Sequence, residues 1–199
     1  MRSISKLGVV VAVLASLVGA PAVAMAEDQP SEQELLRACN SRKVFCQFHP
    51  TERITYSGEY KASGRGSNCS NSTVTRTVEW SNTRGTVDSV GVSISAELGM
   101  GQAFALSVSV SYGHEWHWSE TKTDRVAVEL APGQGAEVWT APLLTKVTGD
   151  YELHFPKPFH GHYIWYVSDV SVEGPAPENV WDVRVENYAP DCAAESAAA

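Results

Sequence analysis

Histidine, cysteine and carboxylate side chains are the groups in this sequence able to do chemistry, and their spacing decides which chemistry is open to them. His114-Glu115-Trp116-His117-Trp118 places two imidazoles around a carboxylate. The spacing is not that of the zinc-protease HExxH helix, and on a strand His114 and His117 point to opposite faces. His160 and His162 share a strand face, with His154 near in sequence, but imidazoles without a supporting carboxylate or thiolate make a weak donor set. Asp169 and Glu173 read as an acidic surface pair. No nucleophile elbow, phosphate-binding loop or dinucleotide fingerprint is present. The sequence therefore reads as non-enzymatic, with no cofactor and no metal.

The cysteines carry a firmer signal. Cys39, Cys46, Cys69 and Cys192 form an even set with no CxxC pair, which points to two structural disulfides rather than a zinc cluster or redox centre. Of the three connectivities, the reading favours Cys46–Cys69, between neighbouring extended segments, and Cys39–Cys192, tying the two ends. An oxidising compartment fits the N-terminus. Arg2 and Lys6 precede an apolar run over residues 7–18, and Ala24-Met25-Ala26 offers a small-x-small cleavage site, so residues 1–26 read as a signal peptide and the protein as secreted and extracellular. Of 15 basic and 23 acidic residues, two basic ones leave with the signal, giving a mature charge of −10. That charge excludes nucleic acid as a partner and a polybasic route to anionic lipid.

Residues 27–192 are expected to form a single β-rich domain, and 193–199 a disordered small-residue tail. One helix is expected: Ser31 with Glu34 three residues on is a capping box before Leu35 and Leu36, and the helix runs to about Cys39. Beyond Val44 the chain reads as strand and turn. Residues 73–80, 125–130, 136–140, 146–155 and 162–172 are alternating or β-rich, with turns at Ala131-Pro132-Gly133-Gln134-Gly135, Gly149-Asp150 and Gly174-Pro175. Within 162–172, Ile164 and Tyr166 are expected to face the core. The fold class is all-β: elongated twisted antiparallel sheets or a β-sandwich, with an amphipathic β-hairpin and one short N-terminal helix.

That hairpin, residues 89–112, alternates on both sides of a glycine turn. Val90, Val92, Ile94, Ala96 and Leu98 share one face, against Ser89, Gly91, Ser93, Ser95 and Glu97. After Gly99-Met100-Gly101, the residues Phe104, Leu106, Val108, Val110 and Tyr112 alternate with Ala103, Ala105, Ser107, Ser109 and Ser111. Opposed residues of an antiparallel pair share a side, so an apolar face requires a loop of odd length. A three-residue turn at Gly99-Met100-Gly101 pairs Ala96 with Phe104 and Val92 with Val108, and a two-residue slip to a five-residue loop also keeps the faces. Each arm has the length of a membrane-spanning β-strand, with one lipid-compatible face and one hydroxylated face suited to a watery lumen. The same pattern also describes a surface hairpin covering the core of a β-sandwich.

The hairpin, the Ser/Thr-rich segments 72–86 and 119–123 around it, and the stretch Val126-Ala127-Val128-Glu129-Leu130-Ala131-Pro132-Gly133 resemble the pore-forming module of aerolysin-like toxins, in particular the epsilon-toxin and mosquitocidal-toxin group. The resemblance covers about residues 73–155. It implies a prestem that joins copies from neighbouring subunits in a transmembrane barrel: a target membrane or cell-surface receptor as partner, and a homo-oligomer as the working form. Val90, Val92, Ile94, Ala96, Leu98, Phe104, Leu106, Val108, Val110 and Tyr112 would then face lipid. Ser89, Ser93, Ser95, Glu97, Ser107, Ser109 and Ser111 would face the lumen. The rival expectation is a secreted, monomeric β-sandwich that binds or inhibits a partner and never inserts.

Overall fold

The computed structural model describes residues 29–177 and 181–193; the expected signal peptide and residues 194–199 of the tail lie outside them. The capping box forms as expected. The Ser31 side chain accepts from the Glu34 amide at 3.2 Å, and α1 runs over Glu32–Ala38 with Leu35 and Leu36 buried.

Antiparallel strands then dominate: β1 (Phe45–Ser57), β2 (Lys61–Asn68), β3 (Val74–Gly85), the short β4 (Val87–Asp88), β5 (Ser119–Leu130), β6 (Gln134–Phe159), β7 (His162–Pro175) and β8 (Trp181–Tyr188). The long strand β6 is the spine. Its first part pairs with β2 on one side and β8 on the other, and its second part with β1 and β7. It runs through Gly149-Asp150, where a turn was expected. The register against β1 and β7 slips there instead: Gly149 stays paired with Pro50 and Val170, the extra residues sit on the partner strands, Thr51 on β1 among them, and pairing resumes on both sides. β3 and β5 form a separate two-stranded ribbon with an unbroken register from Val74–Leu130 to Gly85–Ser119.

The fold is mostly β, as the alternation predicted, but it holds a second helix. α2 occupies Gly99–Tyr112, where the second arm of the hairpin was expected. With α1 it covers one face of β1, β6 and β7. Leu35, Leu36, Phe48, Met100, Phe104, Val108, Val147, Tyr151, Leu153, Val167 and Val170 meet in the core. Trp165 packs against this cluster, while Ile164 and Tyr166 are exposed on the opposite face, the reverse of the expected parity. The reason is register: Trp165 lies opposite inward-facing Leu153, and Ile164 opposite half-exposed His154.

All four cysteines are oxidised, but the pairing differs from the one expected. Cys39 joins Cys46, and Cys69 joins Cys192. Cys39 caps the C-terminus of α1, and the turn after it carries the chain straight back to the start of β1. β2 and β8 flank the same part of β6, with Asn68 opposite Gln134 and Tyr188 opposite Gly135, so the chain just beyond each converges.

Candidate membrane-insertion segment

The segment expected to insert lies between the two strands of the ribbon. The β3–β5 ladder continues one pair past its last strand residues, since the Thr86 amide donates to the Trp118 carbonyl at 2.8 Å. The chain then turns aside. Val87 and Asp88 pair with Glu173 and Val172 on β7, and the Asp88 carboxylate accepts from the amides of Val90 and Val92, each at 3.0 Å. Gly91 takes a positive φ, and residues 89–98 follow as irregular chain. Met100, Gly101, Phe104 and Val108 are then buried on one face of α2. Gly113, at φ 72, ends the helix in the left-handed region.

Ser93 and Ser107, Ala96 and Phe104, and the other pairs expected of a hairpin are not formed in this conformation. Gly99, Met100 and Gly101, expected as its turn, are the first turn of the helix. Helical geometry divides the apolar face. A step of four residues turns about 40° around a helix and a step of two about 200°. The even-numbered apolar residues therefore split into two sets. Met100, Phe104 and Val108 go into the core with Phe104 at 0% exposure, while Leu106 and Val110 are left 68% and 79% exposed. Open clefts of 520 and 430 Å³ run where α2 meets the Cys39–Cys46 loop and β1, and Leu106 borders both. The first arm divides less cleanly, with Val92 buried and Val90 and Ile94 packed partly against the core.

α2 has little helical preference of its own. Its sequence, GMGQAFALSVSVSY, carries glycines, serines and β-branched valines, which cost roughly 0.5–1 kcal/mol each relative to alanine. No side chain of its own caps its N-terminus. Fourteen residues of this composition would not hold a helix in water. Burial of Met100, Phe104 and Val108, worth about 1.5–3 kcal/mol each, and contacts from outside the helix keep it in place. Phe104 packs on Phe48 and Trp116, with ring centroids 5.0 and 4.9 Å apart. The Tyr151 hydroxyl donates to the Met100 carbonyl at 3.1 Å, and burial, reinforced by the charge of Asp88, pushes its ionisation far up.

The N-terminal segment acts as a latch. The Asn40 side chain accepts from the Met100 amide at 3.2 Å, supplying the cap that α2 lacks, and the Gln33 side-chain amide donates to the Val90 carbonyl at 3.0 Å. The disulfide loop presses so close that a Cβ at Gly99 would run into the Cys39 carbonyl oxygen, and within the segment itself a Cβ at Gly101 would run into that of Ser95. Only glycine fits either position in this conformation. Sequence reasoning missed both the helix and the latch. Part of the signal was present: Met100, Phe104, Val108 and Tyr112 recur every four residues, a helical stripe hidden inside the period of two.

The histidines considered as metal ligands are dispersed. His117 Nδ1 lies 3.8 Å from a Glu120 carboxylate oxygen, His160 stacks edge-on to Phe159, and His162 edge-on to Trp165. Among the described residues no group of three or more His, Cys, Asp or Glu side chains is placed to hold a metal ion. Glu152 is shared by two histidines: His154 Nε2 lies 2.6 Å and His49 Nε2 3.1 Å from its oxygens, and these hydrogen bonds, His154's foremost, hold its carboxyl below the usual range. Among the described residues no helix is long and apolar enough to cross a membrane, which says nothing about strands.

No family model and no curated protein matches the chain. Among solved structures it is similar to a candidate pore-forming toxin of Bacteroides vulgatus ATCC 8482, at 14% identity and TM-score 0.32, over 76% of this chain and 58% of that one. It is also similar to the Cry23Aa1–Cry37Aa1 binary complex, at 12% identity and TM-score 0.31, over 75% of this chain and 80% of that one. A third is the Bacillus thuringiensis toxin parasporin-2, described as recognising cancer cells, at 15% identity and TM-score 0.26, over 74% of this chain and 77% of that one. The chain thus spans under two thirds of the first of these. At such TM-scores the likeness carries no functional argument.

Proposed function

We propose that this protein is a secreted pore former of the aerolysin-like kind, which meets a target membrane, assembles with copies of itself and inserts residues 89–112 as a β-hairpin. One observation carries the reading. A 24-residue segment patterned for a two-faced strand is wound into loop and helix, where Leu106 and Val110 of α2 are left in water. The physical reason is backbone hydrogen bonding. A strand needs a neighbour on each side, and a helix satisfies its own amides. A ring of copies would supply the missing neighbours, and a bilayer would cover the side chains that this conformation leaves exposed.

The test rests on Val110 and Leu106, which are exposed here and would face lipid in a barrel. Val110→Arg should leave thermal melting unchanged within about 0.5 kcal/mol while adding about 2–4 kcal/mol to insertion near the midplane, so dye release from liposomes falls. Ser107→Arg should instead spare release and alter single-channel conductance. Val108→Arg is uninformative, because Val108 is buried in this conformation too. A parent that never permeabilises liposomes, even after trimming of its ends or acidification, would sink the proposal.

A second reading has its own support. Register places Phe45, His154 and Ile164 in one row across β1, β6 and β7, with Tyr166 in the next, on the face away from the helices; Phe45, Ile164 and Tyr166 are exposed and His154 half-exposed. Such a face suits a binding module that never inserts, and that reading stands if leakage is absent.

A further inference from the structure

Resting on the insertion reading above, we propose that Trp116 and Trp118 become a lipid-interface girdle, fixed in place because the inserted hairpin continues the register of the β3–β5 ribbon. In that ribbon the numbers of paired residues always total 204, as in Val74 with Leu130 and Gly85 with Ser119, and the hydrogen bond between Thr86 and Trp118 keeps the same total. Continued inward, the ladder sets Val90 against His114, Val92 against Tyr112, Ile94 against Val110, Ala96 against Val108 and Leu98 against Leu106. Every apolar pair stays on one side, and the turn falls within residues 99–105. The other side joins Ser93 to Ser111, Ser95 to Ser109 and Glu97 to Ser107, in line with the hydroxyl pair Thr83–Thr121 already formed at 2.7 Å. This register is four residues away from the pairing of Ala96 with Phe104 expected from the sequence.

The apolar band from Val90 to Leu98 is about 30 Å of strand, or about 23 Å of height at a barrel tilt of about 40°, close to the apolar band of a membrane barrel. Trp116 and Trp118 share the parity of the lipid-facing set, opposite Asp88 and Thr86, and so emerge on the outer side just beyond the band. Barrels place aromatic girdles there. In the present conformation both rings lie near Phe104, at 4.9 and 6.2 Å, and the Trp116 indole donates to the Thr86 hydroxyl at 2.9 Å. Departure of α2 would uncover them together. The partner is a zwitterionic bilayer, since a mature charge of −10 gives no attraction to anionic headgroups.

The test uses the full chain on phosphatidylcholine vesicles, with leakage recorded first. On leaking protein, a Ser95→Cys/Ser109→Cys variant should cross-link within one subunit only after membrane contact, and a Ser93→Cys/Ser107→Cys variant should not. Trp118→Phe should lower the quenching by lipids brominated near the headgroup to the share that Trp116 supplies, with leakage retained. Leakage accompanied by 93–107 cross-linking, or headgroup quenching unchanged by Trp118→Phe, overturns this inference alone. A parent that never leaks overturns the insertion reading as well.

Discussion

Two segments of this chain carry the same alternating pattern and fold differently. In β6, burial alternates residue by residue from Lys146 to His154. Val147, Gly149, Tyr151 and Leu153 turn inward and their neighbours outward. In α2 the alternation of Phe104, Leu106, Val108 and Val110 is cut in half by the helix, two residues in and two out. The difference lies in neighbours rather than in the residues. β6 has β1 on one side and β7 on the other, so its amides are paired as a strand. Residues 99–112 pair with no strand and satisfy their amides along their own axis. Pattern alone therefore does not settle conformation. A strand-patterned segment without partners can be held as a helix, and it then keeps a reason to leave.

The largest effect should come from the spine. Leu153→Ala, at a fully buried β6 position, should lower global stability by about 2–5 kcal/mol, read as a shift of the denaturation midpoint with an unchanged slope. A comparable loss confined to α2 amides would put β6 and α2 on an equal footing and remove the contrast.

Gly99→Ala should act on the other side. Its Cβ has no room beside the Cys39 carbonyl, so α2 undocks at a cost of about 1–3 kcal/mol. Hydrogen exchange should then quicken across residues 99–112 and stay slow in β6. Under the pore proposal the same variant leaks vesicles faster than the parent. Uniform loss of protection throughout the protein would mean that the helix belongs to the global folding unit.

Asn40→Ala removes only the borrowed cap of α2. A loss of about 1 kcal/mol should speed exchange of the first α2 amides roughly five-fold, with the global midpoint barely moved. No change there would show that the disulfide loop holds α2 by packing alone.

The smallest effect concerns the strands that clasp β6. The Tyr56 hydroxyl on β1 donates to the Glu173 carboxylate on β7, and burial, with help from that carboxylate, raises its ionisation from 10.0 to about 12. A folded value above the unfolded one gives stability that is complete below pH about 10 and lost as pH climbs through about 12. Tyr56→Phe should flatten this alkaline limb in a pH series of melting temperatures and leave α2 exchange untouched. An alkaline limb as steep as the parent's would remove Tyr56 from the clasp.

Much of the fold is legible in the sequence. Ser31 and Glu34 announced α1, and the alternation of β3, β5, β6 and β7 announced an antiparallel all-β chain, because capping and binary pattern are local properties. The reading failed at a reversal seven residues long, Cys39 to Cys46, and wherever the deciding partner lay far along the chain. Cys39 pairs with Cys46 because the chain turns back at once after α1, and Cys69 with Cys192 because β2 and β8 flank one part of β6. The latch joins Gln33 to Val90 and Asn40 to Met100 across separations of 57 and 60 residues.

The sequence by itself determined that residues 89–112 have one apolar and one hydroxylated face, and that apolar residues must oppose apolar ones whenever that segment is a strand. Side-chain alternation is a property of any extended chain, so it holds in every environment. Only the tertiary structure decided that residues 99–112 form a helix, that Leu106 and Val110 stay in water while Phe104 and Val108 do not, and which register the flanking ribbon takes. Those outcomes depend on which backbone neighbours are present, and no local pattern encodes a neighbour.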